Sequence, residues 1–491
     1  MVEIAPGLSL TGAIVFAVDL VIRIVAIFVV PRNRTPSSAV AWLMVILLFP
    51  IPGIIVFLIL GATRLPKRRH EKQAQALAIM HEDAEEYAKR YGPDLSSLPQ
   101  PMVNTTKLAQ ALGAQPMFAG NGAKITYPYK ESLDAMAAAI RKAEEFVHVE
   151  FYALAYDKST EDVFEALAEV AARGIPVRVL MDHIASLQIP GHKKTKRKLD
   201  ELGATWSYML PIRPFRGQWR RPDLRNHRKL LVIDGRVAFI GSQNLIDASY
   251  NKRKNIKKGM KWRDIMAELE GPVVASINRV FMTDWFVETG EILEDVPPTR
   301  IENPGPEDTL DCQILPSGPG FGAENNLQVF LSLMNMATER ISITSPYFIP
   351  DQAILYALQA ATARGVKVEL FVSEAGDQAM VYHAQRSYYE ALLRAGVRIY
   401  MFKAPYILHS KHFTIDHSAA VVGSSNMDLR SFNLNMEVSM IVYGEGFVDQ
   451  LDRVNEFYLE NSRELTAEEW AKQPLFSQLL DGIFRLTSSL Q

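Results

Sequence analysis

A chain of 491 residues is too long for one hydrophobic core, and two or three domains are expected. Its 53 basic and 55 acidic side chains leave a formal charge of −2, which excludes overall electrostatic steering toward nucleic acid. A single cysteine, Cys312, excludes an intrachain disulfide and fits a reducing compartment, where it serves as a small apolar filler.

From about Leu10 to Val30 the chain is apolar for long enough to cross a bilayer, and no small-residue cleavage site follows, so a retained anchor is expected. Asp19 and Arg23 interrupt it at i,i+4, a spacing that lets them neutralise each other on one helix face. A contact to headgroups or to the next apolar run is the alternative. That second run covers roughly 39–60, and Pro50 and Pro52 should kink or break it. A two-helix transmembrane hairpin is expected, spans about 10–30 and 39–60, with a re-entrant second segment left open. Arg32 and Arg34 lie between the runs, and Arg64, Lys67, Arg68, Arg69 and Lys72 follow the second. By the positive-inside rule both termini then lie in the cytoplasm, and the remainder faces the inner leaflet.

Residues 1–65 thus form the membrane segment, and 66–105 a charged connecting helix and linker. An α/β unit follows over 106–293. Phe146–Tyr152 has a buried-strand pattern, a helix runs to Arg173, Gly174 stops it, and Val177–Met181 is the next strand. The same order returns at Ile341–Tyr347, a helix to Arg364, Gly365 and Val368–Val372. This is a large internal duplication, with 309–491 as the second α/β unit and the proline- and acid-rich 294–308 as a linker.

Each unit carries the same six-position pattern, H-x-K-x4-D-x6-G-S-x-N. The first copy is His227, Lys229, Asp234, Gly241, Ser242 and Asn244, and the second is His409, Lys411, Asp416, Gly423, Ser424 and Asn426. One H-x-K is noise; two full copies at fixed offsets are not. Each motif sits on a short run of β-formers ended by a turn signal, so its His and Lys project to one strand face. Two half-sites meeting across a pseudo-two-fold axis would give a single cationic pocket with two imidazoles and two ammonium groups. Such a pocket suits a phosphodiester, with one His as nucleophile and the other as general acid, and with no metal and no cofactor. Lys229, Lys411, Asn244 and Asn426, with Ser242 and Ser424, would hold the phosphate. Asp234 and Asp416 end their strands at turns and take a mainly structural part. Asp264 and Glu437 could orient an imidazole through its second nitrogen.

The duplicated motif resembles that of the phospholipase D superfamily. The second copy, Leu408–Asp416 through Gly423–Glu437, is similar to bacterial cardiolipin synthases in particular, as are Ser345–Asp351, Arg386–Tyr389 and Trp262–Asp264 leading to Gly271-Pro272. The resemblance implies two tandem α/β/α domains and a bacterial inner-membrane enzyme, multi-pass, with its catalytic domains on the cytoplasmic side. It implies transfer of a phosphatidyl group from one phosphatidylglycerol to another, with release of glycerol, through a phosphohistidine on His227 and with His409 as acid. Hydrolysis to phosphatidic acid, or transfer from another donor, is the alternative. Anionic phospholipid and membrane are the expected partners and nucleic acid is not. Oligomeric state stays open, a dimer included.

Three basic stretches, His192–Lys198, Arg213–Arg228 and Lys252–Lys261, flank the first motif, and at least one should draw anionic headgroups. The remaining histidines, His412 included, show no metal-ligand spacing. The C-terminal piece Pro474–Gln491 has an apolar side that is expected to pack on the catalytic body, with an interfacial membrane helix as the other reading.

Overall fold

The computed structural model describes residues 10–32, 34, 36–61, 67–80, 84–113, 115–213, 221–305, 309–322 and 324–486. Arg64 and residues 214–220 of the second basic stretch lie outside the described residues, as do 306–308 of the linker and the last five residues.

The first apolar run is one helix, α1 (Leu10–Val29), of which residues 11–29 are long and apolar enough to cross a membrane, and of residues 11–29 only Ala26 is buried. Asp19 accepts from Arg23 at 2.8 Å, and Arg23 also donates to the carbonyl of Leu47 at 2.6 Å. The pair is therefore self-neutralising and in contact with the second run at once. That second run departs from the expected span. It forms α2 (Pro36–Leu48) and α3 (Pro50–Leu60), broken at Phe49, and α3 folds back along α2. Trp42 packs edge-on against Phe57 at 5.4 Å, Arg34 donates to the carbonyl of Gly61, and Gly53 lies against the backbone of Ile46. A helix of 13 residues is about 20 Å long, short of the ~30 Å hydrocarbon core. Pro50 and Pro52 start the return helix where missing N–H groups cost least. Residue 61 consequently comes back to the side of Arg34.

The expected connecting helix is two helices, α4 (Lys67–Met80) and Ala84–Tyr91. A buried ion pair of Arg69 with Glu288 locks α4 onto the long buried helix Val273–Thr289.

The two α/β units share one 16-stranded sheet. The first unit supplies β1 (Met117–Thr126), β2 (Val147–Phe151), β3 (Val177–Asp182), β4 (Thr205–Met209), β5 (Arg225–Asn226), β6 (Lys229–Ile233), β7 (Val237–Gly241), β8 (Lys261–Arg263) and β9 (Met266–Glu270). The second supplies β10 (Leu310–Ser317), β11 (Arg340–Thr344), β12 (Phe348–Ile349), β13 (Lys367–Ser373), β14 (Arg398–Phe402), β15 (Tyr406–Leu408), β16 (His412–Ile415), β17 (Ala419–Gly423), β18 (Met427–Asp428), β19 (Asn435–Tyr443) and β20 (Ser462–Leu465). The order in the shared sheet is β20-β14-β13-β11-β16-β17-β19-β10-β1-β9-β7-β6-β2-β3-β4, with β5 set on β19, while β8 with β15 and β12 with β18 form two separate pairs outside it. Outward from the antiparallel β1–β10 pair, the two units repeat the same order of elements. The parallel strands β2, β3 and β11, β13 are almost wholly buried on both faces, the polar His148, Glu150, Ser342, Thr344 and Glu369 included.

Helices cover both faces. One core, built from β6, β7, β9, β10 and β19 together with Val273–Thr289 and Glu445–Glu460, belongs to both units. Cys312 is wholly buried in it, and burial pushes its thiol pKa up. The C-terminal helix, Leu475–Arg485, packs on the body as expected, with Phe484 against the second unit's core, but turns most of its apolar side outward. Its buried residue is Asp481, while Leu475, Phe476, Leu479 and Ile483 face outward.

Candidate active site

The site lies where each unit reaches into the other. β5 runs parallel to β19 of the second unit, and the backbone N–H of His227 donates to the carbonyl of Met436 at 2.8 Å. In mirror fashion β15 runs parallel to β8 of the first unit, and the N–H of His409 donates to the carbonyl of Arg263 at 2.7 Å. Each motif histidine is thus fixed by a strand of the opposite unit.

The carboxylates cross over as well. His227 Nδ1 donates to Glu437, 3.0 Å from each oxygen, and His409 Nδ1 donates to Asp264 at 2.7 Å. Glu437 and Asp264 are wholly buried, so these bonds fix the tautomer and leave each Nε2 free for chemistry. The motif glycines make the handover sterically feasible. A Cβ on Gly241 would meet the carbonyl of Ile265 at 2.4 Å, and one on Gly423 that of Val438 at 2.3 Å. The serines that follow are buried against the same strands. Ser242 Oγ accepts from the N–H of Ile265 at 3.0 Å, and Ser424 donates to Glu437 at 2.5 Å while accepting from the N–H of Val438. Ser424 thereby supports the carboxylate behind His227, and Ser242 is held by the backbone of Ile265, next to Asp264.

Lys229 and Lys411 are buried, and each donates back to the carbonyl of the histidine two residues before it. Burial lowers the Lys229 pKa to about 7 and that of Lys411 to about 8, against the pull of the buried carboxylates. Burial also lowers His227 to about 4, with Glu437 opposing, and lowers His409, with Asp264 opposing. Burial works the other way on Glu437 and Asp264, yet their histidine partners hold both below the ordinary carboxylate value. Lys411 depresses His227 and Lys229 depresses His409, so charge couples the two motifs.

The asparagines diverge. Asn244 accepts from the N–H of Ala153 at 3.0 Å and donates to the hydroxyl of Tyr250 at 2.6 Å. The side-chain oxygen of Asn426 is buried without a partner among the described residues.

Asp234 and Asp416 lie at the far ends of their strands, about 16 Å from the motif lysines at five residues' rise. Asp234 accepts from the N–H groups of Glu144, Glu145 and Phe146 at 2.8 Å each, and Asp416 from those of Thr338, Glu339 and Arg340. Both adopt a left-handed backbone, φ 53° and 49°, that Asp tolerates better than most residues. They pin the motif hairpin to the chain entering β2 and β11. Replacing Asp234 by Ala should lower stability by about 2–4 kcal/mol in denaturant melts, with turnover per folded molecule unchanged. A selective loss of turnover at full stability would place Asp234 in the chemistry instead.

Three tyrosines at the site escaped the sequence reading. Tyr152 packs edge-on against His227 at 5.0 Å, and the Lys229 ammonium lies 5.5 Å from the same ring. Tyr347 stands 6.5 Å from His409, and Tyr250 holds Asn244. Tyr152 directly follows β2, whose Phe151 pairs with Lys229, so the strand register would have found it. Of the other histidines, His412 is buried against Asn455 on the opposite strand face, as the alternation predicts. The basic stretches divide. Arg221, Arg225 and Arg228 are spent on Asp223, Asp182 and Asp284, and Lys194 and Lys198 lie over Tyr156. Lys252, Arg253, Lys254, Lys257 and Lys258 stay exposed.

Residues 136–285 and 330–457 match the family model described as cardiolipin synthase, PLD-like domain, and residues 21–61 match the phospholipase D-nuclease N-terminal model. The chain is 33% identical over 487 residues to cardiolipin synthase A of Serratia proteamaculans, covering 97% of each chain. It is 31% identical to cardiolipin synthase A of Pectobacterium carotovorum over 484 residues, 97% of this chain and 98% of that one. A likeness to the crystal structure of phosphatidylserine synthase from Haemophilus influenzae, at 13% identity and TM-score 0.59, covers 79% of this chain and all of that one, and shows a shared fold. With both family domains falling on the two units that carry the duplicated motif, the chain belongs to the cardiolipin synthase family of phospholipase D-like proteins.

Proposed function

We propose that the protein is a membrane-bound cardiolipin synthase that moves a phosphatidyl group from one phosphatidylglycerol to the glycerol headgroup of another. The observation that carries this reading is the crossed pairing of His227 with Glu437 and His409 with Asp264, which engages each Nδ1 and leaves each Nε2 for chemistry, in a cluster where the lysine of each motif acts on the histidine of the other. His227, neutral with its pKa near 4, attacks phosphorus through Nε2. The bond from phosphorus to the glycerol oxygen breaks, and His409 Nε2–H protonates that oxygen. The hydroxyl of a second phosphatidylglycerol then gives its proton to His409 and attacks phosphorus, and the P–N bond returns its electrons to His227.

The roles are assigned by the carboxylates. Glu437 spreads its charge over His227, Ser424, Ser431 and Asn435, whereas Asp264 leans chiefly on His409. The less shared anion better supports an imidazolium, which favours His409 as the acid. Lys229, Lys411 and the Asn426 amide stabilise charge on the five-coordinate phosphorus, and an anion between the lysines would raise both from their depressed values. Ser242 and Ser424 act as positioning residues, and Asp234 and Asp416 as anchors.

We further infer that α1 crosses the inner membrane once and that α2 and α3 re-enter it, in place of the expected second crossing. Arg32, Arg34, Arg69 and Lys72 then share one side, the cytoplasm by the positive-inside rule, with the catalytic units. The units divide at 294–308 and are related by an approximate two-fold axis between β1 and β10.

Purified full-length protein, given phosphatidylglycerol alone with excess chelator, should release glycerol and cardiolipin one to one. Phosphatidic acid as the main product would replace transfer by hydrolysis. No turnover without added metal would overturn the two-histidine mechanism.

A further inference from the structure

Amphipathic helices in globular proteins bury the apolar face and expose the polar one. The helix Leu475–Arg485 does the reverse. Leu475, Phe476, Leu479 and Ile483 are 78, 72, 65 and 57% exposed, and Leu486, directly after it, is 84% exposed. Its docked side is mainly polar, with Phe484 stacked on the His383 ring at 5.4 Å. Asp481 accepts from His383 at 2.6 Å and from Arg386 at 3.2 Å, Arg386 donates to Ser477 at 3.1 Å, and the Arg485 guanidinium lies 4.9 Å from the Tyr388 ring. A buried ion pair is an expensive way to hold a surface helix, and it fixes which side faces out.

What covers that face follows from what lies behind it. The docking partner, helix Ala379–Arg386, presents Val381, Tyr382 and Gln385 to a cleft that Tyr347, Asp377 and Ile407 also line. Tyr347 is the ring beside His409, and Ile407 precedes that histidine by two residues. On the same rim β15 pairs with β8, which follows the exposed basic helix Arg253–Lys258, whose Ile256 is 60% exposed among lysines. The apolar helix and the cationic helix tipped with an isoleucine thus each adjoin an element that lines the cleft, whose Tyr347 stands beside His409. A protein partner would account for the apolar stripe alone. An anionic bilayer surface accounts for both patches, in a chain already tied to a membrane by α1.

We propose that Leu475–Arg485 is an interfacial membrane helix, seated with Phe476, Leu479 and Ile483 at the boundary of headgroups and acyl chains, so that the cleft beside His409 opens at headgroup level. The idea rests on the membrane-bound reading but not on the identity of the reaction.

Cys312 is fully buried, so Leu479→Cys in the full chain supplies one reactive thiol for an environment-sensitive fluorophore. In vesicles of phosphatidylglycerol and phosphatidylcholine, quenchers carried on the acyl chains should quench the label and aqueous iodide should do so weakly. Quenching by iodide alone would overturn the proposal, and so would an emission shift that depends on the protein-to-lipid ratio, which would mean a second copy covers the face. The double variant Leu479→Glu/Ile483→Glu should lower kcat/KM on vesicle phosphatidylglycerol on the order of tenfold or more, and leave monomeric short-chain phosphatidylglycerol unaffected. Equal loss on both substrates, or loss on neither, would count against it. The depth of the label needs no turnover, so it stands or falls separately from the synthase reading.

Discussion

A phosphatidyl ester of p-nitrophenol should separate the two histidines. His409→Gln should release one phenolate per enzyme in a burst and then stall, and His227→Gln should release none. The phenolate leaves without an acid, so losing His409 spares the first half-reaction. The same residue must deprotonate the incoming alcohol, so the second half-reaction stops and the phosphatidyl group stays on His227. That adduct should be labile to acid and stable to base, as a P–N bond is. On phosphatidylglycerol itself, His409→Gln should cost about 10²- to 10⁴-fold, the usual range for a lost general acid. His227→Gln should cost on the order of 10⁴-fold or more, because no neighbour replaces a nucleophile. Both imidazoles are nearly buried, and the glutamine amide can keep a hydrogen bond to the carboxylate behind it, so both variants should retain the wild-type melting transition. A burst from His227→Gln with none from His409→Gln would exchange the roles. Bursts from neither, at full stability, would remove the covalent intermediate.

The parts of this site legible in the sequence are those set by local spacing. His227 and Lys229, and His409 and Lys411, lie two apart, and strand periodicity alone brings each pair together. The turn at Asp234 and Gly235 announces its hairpin by composition. Glu437 and Asp264 could be nominated from their nearness to the motifs. Which histidine each would hold could not, because that depends on β5 meeting β19 and β15 meeting β8, strands that carry no pairing signal across such separations. Hydropathy found the second apolar run but not its reversal, which the contacts of Trp42 with Phe57 and Gly53 with Ile46 decide. The C-terminal stripe was equally visible. Which side of it faces the body is set by Asp481, Arg386 and His383, residues whose partners are nearly a hundred positions apart.

The crossed carboxylates give the second large effect. Asp264→Asn and Glu437→Gln should each lower phosphatidylglycerol turnover about 10²- to 10⁴-fold, since an amide cannot hold the tautomer or stabilise the imidazolium. The p-nitrophenyl ester then tests the crossing itself. Glu437 orients His227 from the other unit, so Glu437→Gln should slow the burst. Asp264 serves His409, so Asp264→Asn should leave the burst intact and block only the second half-reaction. The pH profile adds a reading that a loss of fold would not mimic. Asp264 raises the His409 pKa against burial, so in Asp264→Asn that pKa falls, and the limb set by protonated His409 moves to lower pH. The amides are near-isosteric but leave a buried histidine beside a neutral partner, so melts should accompany the kinetics. If instead Glu437→Gln spared the burst and Asp264→Asn abolished it, each carboxylate would be serving its own unit's histidine during turnover. The two halves would then work as neighbours. With the crossing intact neither half holds a complete catalytic histidine, which is a physical reason for the duplicated units to stay in one chain and one sheet.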